Sequence, residues 1–280
     1  MIEAPEAFSL ATQLEQTVKG KIVTEVLAGH TPHKFTWFNP KPEQFPAALC
    51  GKRITGARAY GGHIAITVGD MTLLLSEGIN LNYIAPGGKL PSKHQLLLGF
   101  GDESCLVVSV RMYGGIHCAQ DGKVEGGLQP YYEAARDKPQ VLSDDFTKEY
   151  FMELLRATGA DKKSAKAMLA TEQTIPGLGN GVLQDILYNA RIHPKTKISA
   201  LDAGQKSALY DYVKNTLAEM ARAGGRSSES GLSGNPGGYV PFLSKDTLGQ
   251  ECTRCGAIIV KESYMGGAVY YCPGCQKQTK

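Results

Sequence analysis

Two closely spaced pairs of cysteines near the C-terminus constrain this chain more than any other feature of its sequence. Cys252 and Cys255 are separated by two residues, sixteen residues follow, and Cys272 and Cys275 repeat the two-residue spacing. Two tight turns joined by a β-hairpin can bring four thiolates into a tetrahedron around one Zn2+. We therefore predict a C-terminal zinc ribbon that holds one zinc ion. Four protein thiolates leave no open coordination position, so this zinc is expected to stabilise the fold and not to activate water.

Length and composition indicate a folded, non-membrane protein. The 280 residues are 42% hydrophobic and 20% charged, which is typical of globular proteins. We find no apolar run of the about 18–20 residues that a membrane helix needs. Glu3, Glu6 and Glu15 stand where a secretory signal would be basic or apolar, so we expect a cytoplasmic protein. Thiols stay reduced in the cytoplasm, which favours zinc over the alternative of two disulfides.

The net charge of +3 is too small to indicate a nucleic-acid partner by itself. The charge is unevenly distributed, since residues 161–197 contain six basic side chains, Lys163 among them, and three acidic ones. A basic patch of this kind attracts phosphates. A solvated helix face explains the same pattern without any ligand, and charge alone favours that explanation.

The pattern of apolar residues and turns divides the chain into four parts. A short helix over 5–19 is followed by strands at 22–27, 54–60, 63–68, 71–75, 94–100 and 105–110, which predict an antiparallel β-sandwich in residues 1–138. Residues 139–225 have a helical pattern, with Ser143 to Asp145 and Asp161 as N-caps and a long helix over 202–223. A segment rich in Gly, Ser, Asn and Pro at 226–248 leads to the zinc finger at 249–280. The fold class is therefore α+β with several domains.

A glycine-rich turn, Ile175 to Gly181, leads directly into an apolar helix that ends near His193-Pro194. Gly177 and Gly179 let backbone N–H groups converge, and a helix N-terminus adds partial positive charge, so the turn suits a phosphate. A tight connection between two helices also needs glycine, and this pattern alone does not separate the two explanations.

These parts together resemble the formamidopyrimidine-DNA glycosylase and endonuclease VIII family. Residues 175–194 are similar to the family's helix–two-turn–helix signature, and residues 271–276 are similar to its zinc-finger signature. The segment Gly224 to Ser228 is similar to the one that precedes the family's lesion loop. The resemblance covers nearly the whole chain. It implies a β-sandwich, a helix–two-turn–helix domain and a zinc finger, with excision of damaged bases from double-stranded DNA as the activity.

The resemblance implies a catalytic group at the N-terminus. In the family, the amine of an N-terminal proline attacks the sugar C1′ of a nucleotide flipped out of the duplex, and the next residue, a glutamate, moves protons. A Schiff base forms and permits strand cleavage. In this chain Glu3 matches the glutamate but Ile2 replaces the proline, so the free amine is expected on Met1. An α-amino group titrates near pH 8, well below lysine, and is therefore a suitable nucleophile.

The resemblance also implies DNA contacts, some of them altered. Asn180 matches a phosphate-binding asparagine, whereas His63 stands at the position of a phosphate-binding lysine and Gly267 at that of a zinc-hairpin arginine. Arg111 precedes the loop whose side chains fill the gap left by the flipped base. The implied wedge residues are Ile79, Met112 and Tyr113. The implied contacts to the flipped base, in the lesion loop 226–239, are Arg226, Ser227, Ser228 and Tyr239.

Two hypotheses follow for a chain that we expect to be a monomer bound to duplex DNA with a damaged base or an abasic site. The first is a DNA glycosylase, with or without lyase activity, that uses the Met1 amine or a displaced base together with Glu3. The second is a catalytically inactive module that binds lesions or distorted DNA, motivated by the loss of the proline, the lysine and the arginine together. The resemblance does not select a lesion.

Overall fold

The structure, a computed structural model, describes residues 1–76 and 78–279. Helix α1 (Ala4–Thr17) comes first and packs on the sandwich that follows. The strands of the sandwich are β1 (Val23–Ala28), β2 (Thr36–Asn39), β3 (Ile54–Tyr60), β4 (His63–Val68), β5 (Met71–Leu75), β6 (Ile79–Ile84), β7 (Leu96–Phe100), β8 (Cys105–Val110) and β9 (Gly114–Gln120). Two short helices, α2 (Phe45–Leu49) and α3 (Gln129–Arg136), border the sheets.

The strands form two sheets, as predicted. One has the order β1-β7-β8-β6 and is antiparallel throughout, and the other has the order β2-β9-β5-β4-β3. Strand β2 runs parallel to β9, which is the exception to the predicted antiparallel arrangement. The facing sides of the sheets and one side of α1 share a core that includes Leu14, Ile64, Leu73, Leu98 and Leu106. Burial of these side chains supplies the main stabilisation of this part.

The second part of the chain is helical, as predicted. Its helices are α4 (Lys148–Arg156), α5 (Ala165–Ala170), α6 (Asn180–Asn189) and α7 (Ala203–Arg222). Asp202 caps α7, because its side chain accepts a hydrogen bond from the Gln205 N–H at 2.7 Å while the Gln205 side chain accepts from the Asp202 N–H. The helices enclose a second core around Val182, Ile186 and Leu217.

Two of the predicted N-caps are wrong. Helix α4 is capped by Thr147 and not by Ser143 to Asp145, and α5 is capped by Ser164 and not by Asp161. The Ser143 hydroxyl instead donates to the Gln140 carbonyl, and residue 161 lies in a short 3-10 turn, Ala160–Lys162. Asp and Ser are common in turns as well as at helix N-caps, so their presence in the sequence does not distinguish the two structures.

The C-terminal hairpin consists of β10 (Val260–Tyr264) and β11 (Gly267–Tyr271). It docks on α6 through the buried side chain of Gln184, which donates to the Ala268 carbonyl at 3.1 Å and accepts from the Tyr270 N–H at 3.1 Å. The elements therefore follow the predicted order of sandwich, helices, loop and zinc hairpin, while the boundaries given to these parts stay predictions. Throughout residues 1–76 and 78–279, no helix combines the length and the apolar character required to span a membrane.

Candidate active site

The Glu3 carboxylate closes the N-terminal end of α6. Its Oε1 accepts a hydrogen bond from the Gly181 N–H and its Oε2 from the Val182 N–H, both at 2.8 Å. These N–H groups have no partner within the helix, and the positive end of the helix dipole favours a carboxylate there. Gly179 is needed beside it, because a Cβ at this position would lie 2.7 Å from Glu3 Oε1. Glu3 is 5% exposed, and burial raises its pKa against the opposing effects of Arg226 and the two N–H groups.

Arg226 joins Glu3 to a second buried carboxylate, Glu6. Its Nε and Nη2 donate to the two oxygens of Glu6 at 2.9 and 2.8 Å, and Nη1 lies 3.7 Å from Glu3 Oε1. Burial by itself would raise the pKa of Glu6, but the hydrogen bonds and charge of Arg226 outweigh burial and lower it. Arg226 is 4% exposed, so this cluster is largely shielded from water. A Cβ on Gly181 would overlap the Arg226 guanidinium, which explains the glycine at the start of α6.

Met1 lies between the sandwich and the loop after α7. Its amine forms an ion pair with Glu229 Oε1 at 2.5 Å, and its carbonyl oxygen accepts from Arg226 Nη2 at 3.1 Å. Its Sδ accepts a hydrogen bond from the Tyr113 hydroxyl at 3.2 Å. The next residue, Ile2, is 4% exposed and packs in the sandwich core.

A cavity of about 340 Å3 opens next to this cluster, between the start of α6, the loop after α7 and the zinc hairpin. Ser227 and Ser228 line it as exposed residues, and Arg226 forms part of its wall. Other lining residues are Asn180, Gly181 and Tyr270. Three of the four predicted lesion-loop residues therefore meet at one cavity.

The fourth predicted lesion-loop residue, Tyr239, is held elsewhere. It is 5% exposed, and its hydroxyl donates to Asp185 Oδ2 at 2.9 Å. The same carboxylate accepts from the N–H groups of Phe242 and Leu243 at 2.9 Å. Burial raises the pKa of Asp185 to about 6, although these three donors favour its charged form. Tyr239 thus anchors the loop to α6, and this geometry gives no support to its predicted contact with a base.

The residues predicted to contact phosphates do not all lie at one place in the structure. Asn180 lies at the α6 N-terminus, and its Oδ1 is buried with no hydrogen-bond partner among the described residues. Its amide occupies the space that a side chain on Gly267 would need. Gly177 adopts φ +75° and accepts a hydrogen bond from the Ala4 N–H, which ties the glycine turn to α1. The Lys163 ammonium is 2.7 Å from Glu172 Oε2.

His63 and Arg111 have contrasting surroundings. His63 is 6% exposed. Burial, and to a smaller extent the nearby His117, lower the pKa of its imidazole to about 4, so the ring is neutral at pH 7. A buried neutral imidazole neutralises no phosphate, and the geometry does not support the phosphate role predicted for His63. Arg111 is exposed, and its guanidinium donates to Asn80 Oδ1 at 3.3 Å.

The residues predicted to form the wedge also differ in their exposure to solvent. Met112 is 65% exposed and Tyr113 is 38% exposed, so both present apolar surface at the end of β8. Ile79 is 4% exposed and packs in the sandwich core. The exposure of Met112 and Tyr113 is compatible with the predicted wedge, which stays a prediction, whereas Ile79 is buried in the core.

The four C-terminal cysteines form the predicted metal site. Their Sγ atoms lie within 4.8 Å of one another, with Cys252 to Cys275 at 3.8 Å and Cys255 to Cys272 at 3.4 Å. Zn–S bonds of about 2.3 Å in a tetrahedron require S···S separations near 3.8 Å, so the thiols fit a Zn2+ ion. Four thiolates leave such an ion no open position, which limits its part to holding the hairpin.

Two groups in this site were not predicted from the sequence. Glu229 contacts the Met1 amine and Glu6 holds Arg226, although both residues are far apart from their partners in the chain. For Glu6 a signal was present, since Glu3 and Glu6 have the spacing of a capping box, which the structure contains. Nothing in the sequence near Glu229 indicates its contact.

A helix–two-turn–helix beside a zinc hairpin and a sandwich defines a class of DNA-binding protein, and comparison with known proteins gives the family. Residues 1–139 match the model of the formamidopyrimidine-DNA glycosylase N-terminal domain, and residues 138–231 match that of the formamidopyrimidine-DNA glycosylase H2TH domain. The chain belongs to the formamidopyrimidine-DNA glycosylase and endonuclease VIII family, whose members are DNA glycosylases and AP lyases.

Individual relatives cover the full length of the chain. It is 28% identical over 286 residues to the formamidopyrimidine-DNA glycosylase of Lactococcus lactis subsp. cremoris, covering 99% of this chain and 100% of that protein. It is 26% identical over 300 residues to that of Mycobacterium ulcerans, covering all of both chains. A crystal structure of the Lactococcus lactis enzyme in complex with DNA containing an abasic site superposes with a TM-score of 0.82 at 24% identity, over 99% of this chain and 100% of that one. This superposition confirms the predicted fold.

Proposed function

We propose that this protein is a DNA glycosylase with lyase activity that acts on double-stranded DNA containing a damaged base or an abasic site. The observation that carries the proposal is the position of the N-terminal residue beside the buried Glu3 carboxylate: the Met1 carbonyl accepts a hydrogen bond from Arg226, whose guanidinium also lies 3.7 Å from Glu3. A nucleophilic amine and a carboxylate of raised pKa beside a cavity are the groups needed to displace a base from C1′.

The surroundings of this cluster suit a kinked duplex. Because Glu3 already accepts from the Gly181 and Val182 N–H groups of α6, we assign the contact with a phosphate to the side chain of Asn180, which lines the cavity at the start of this helix. Met112 and Tyr113, which contacts Met1, offer an apolar wedge for the space that a flipped nucleotide vacates. The zinc hairpin is fixed to the same helix by Gln184, so the metal site and the phosphate site share one support.

In the proposed reaction the Met1 nitrogen forms a bond to C1′ while the bond from C1′ to the base breaks. The electron pair of the broken bond leaves with the base, which must be protonated. Because burial raises the pKa of Glu3, this carboxyl is a suitable proton donor to the sugar O4′ as the ring opens to a Schiff base. Elimination from the Schiff base then cleaves the strand.

The test is borohydride trapping on duplex DNA with a single abasic site, together with a release assay on a panel of damaged bases. The proposal predicts a covalent protein–DNA adduct with the wild type. It also predicts a loss of about 100-fold or more in base release for Glu3→Gln, because an amide donates no proton of this kind. Glu43→Gln, an exposed carboxylate on the sandwich, serves as the control and should behave as the wild type. Absence of both adduct and base release would refute the proposal.

A second candidate function is a lesion-binding module without turnover. The observation that favours it is the engagement of the Met1 amine by Glu229 and of both Glu3 oxygens by α6. This candidate predicts tight binding to abasic-site DNA with no product for the wild type on any lesion. Turnover by the wild type that Glu3→Gln abolishes would exclude it.

A further inference from the structure

We propose that Glu229 is the proton acceptor of the Met1 amine, which gives a residue of the lesion loop a direct part in catalysis. The inference rests on the proposed function and adds to it the group that converts the Met1 ammonium into a nucleophile. Glu229 contacts the reacting nitrogen itself, since its Oε1 lies 2.5 Å from the Met1 nitrogen.

The backbone on either side holds Glu229 in place. Its N–H donates to the Arg226 carbonyl at 3.0 Å, and its carbonyl accepts from the Gly237 N–H at 2.9 Å. Its side chain is 15% exposed. Met1 is held through its carbonyl, which accepts from the Arg226 guanidinium, and through its Sδ, which accepts from Tyr113. Arg226 therefore contacts both residues of the pair and helps to keep the amine and the carboxylate in a fixed geometry.

The other two carboxylates of the cluster are already occupied. Glu3 uses Oε1 and Oε2 to accept from the Gly181 and Val182 N–H groups at 2.8 Å. Glu6 uses both oxygens for Arg226, and its Oε2 also accepts from the Glu3 N–H at 3.0 Å. Both carboxylates thus hold α1, α6 and the loop together, while the amine contacts Glu229. Within the described part of the chain, Glu229 is the carboxylate that faces the amine.

Each proton that moves in this reaction has a donor and an acceptor. The Met1 ammonium gives one proton to Glu229, and the neutral amine forms the N–C1′ bond while the base departs with the electron pair of the broken bond. The departing base takes one proton, which Glu229 can return. Glu3 gives a proton to the sugar O4′ as the ring opens, the second proton lost by the nitrogen replaces it on Glu3, and the product is a protonated Schiff base. On an abasic site the aldehyde oxygen leaves as water instead.

The experiment is borohydride trapping on abasic-site duplex DNA, with rates measured between about pH 6 and pH 9. Three variants of the full chain are compared with the wild type: Glu229→Gln, Glu229→Asp and the control Glu43→Gln. We expect trapping by Glu229→Gln to be about 100-fold slower near pH 6.5, because an amide accepts no proton, and the deficit to shrink as hydroxide replaces the lost base toward pH 9. Glu229→Asp should keep the pH profile of the wild type at a lower rate. Affinity for the DNA by fluorescence anisotropy should stay within about twofold, which separates proton transfer from a structural role.

The trapping rates distinguish failure of the Glu229 role from failure of the lyase activity. If the wild type traps DNA and Glu229→Gln traps it at the same rate, the role of Glu229 is refuted while the lyase survives. A deficit in Glu229→Gln that is equal at every pH would also overturn the role, since it would mean positioning without proton transfer. If the wild type forms no adduct at any pH, the proposed lyase falls and the role of Glu229 falls with it.

Discussion

Replacing Arg226 with methionine should expose the energetic cost of the buried charges at the site. Arg226 donates three side-chain hydrogen bonds, two to Glu6 at 2.9 and 2.8 Å and one to the Met1 carbonyl at 3.1 Å, and its guanidinium is 3.7 Å from Glu3. Both carboxylates are at most 5% exposed. Removal of one partner from a buried ion pair typically costs about 3–5 kcal/mol, because the other charge stays buried without compensation. We expect Arg226→Met to lower the free energy of unfolding by that amount at pH 7.

The deficit should depend on pH in a defined direction. In the wild type the pKa of Glu6 is lowered, so its contribution to stability is present above the unfolded pKa of about 4.3 and is lost as pH falls through the folded value. Without Arg226, burial, which raises the pKa of both carboxylates, is opposed only by their backbone hydrogen bonds. We therefore expect the carboxylates of the variant to take up protons more readily as the pH falls from 7 to 5, which removes part of the unpaired charge. The deficit should therefore be smaller at pH 5 than at pH 7.

Urea unfolding followed by far-ultraviolet circular dichroism at both pH values measures this difference. The control is Arg222→Met, an exposed arginine in the last turn of α7, which should change stability by no more than about 0.5 kcal/mol. A change below about 1 kcal/mol for Arg226→Met at pH 7 would refute the reasoning. An equal deficit at pH 5 and pH 7 would refute the assignment of the cost to ionised carboxylates.

Three further outcomes follow from the structure. The affinity of Glu3→Gln for abasic-site DNA should be within about threefold of that of the wild type, while its rate of base release should fall about 100-fold or more. Gel assays of binding and of product formation measure the two quantities, and equal losses in both would contradict a catalytic role. Cys272→Ser, or chelation of zinc, should abolish the preference for abasic-site over intact duplex in fluorescence anisotropy, because the hairpin loses its metal; retained preference would contradict this. Tyr239→Phe should lower the free energy of unfolding, measured in urea, by about 1–2 kcal/mol. The loss should be larger at pH 8 than at pH 5. The pKa of Asp185 is raised to about 6, so this carboxylate is mostly charged at pH 8 and binds the Tyr239 hydroxyl more strongly there. The reverse order would show that the Tyr239 hydroxyl does not serve the charged form of Asp185.

Periodicity and turn residues were sufficient to predict much of the fold. Strands β3, β4, β5 and β8 have the predicted bounds, because alternating or continuous apolar residues lie between clear turns such as Gly61-Gly62 and Gly69-Asp70. Strands β2, β6 and β9 were not predicted. Strand β9 begins with two glycines and β6 alternates with asparagines, so intrinsic preference opposes a strand and the pairing with neighbouring strands decides.

The site was predictable where the chemistry is local and not where it depends on distant parts of the chain. The spacing of the four cysteines predicted the metal site, and the motif around Asn180 predicted the start of α6. The contact of Met1 with Glu229 joins residues 228 positions apart, which no local pattern encodes. The burial of Ile79, His63 and Tyr239 was also not predictable from local sequence, because the exposure of a side chain depends on packing between distant parts of the chain.

The central claim is that the Met1 amine is the nucleophile of this protein. The most direct measurement is mass spectrometry of the borohydride-trapped adduct, after digestion of the protein and of the DNA, to locate the sugar remnant. The account predicts the remnant on the α-nitrogen of Met1, in the peptide that also contains Glu3. A remnant on a lysine side chain, or the absence of any adduct with abasic-site DNA, would contradict it.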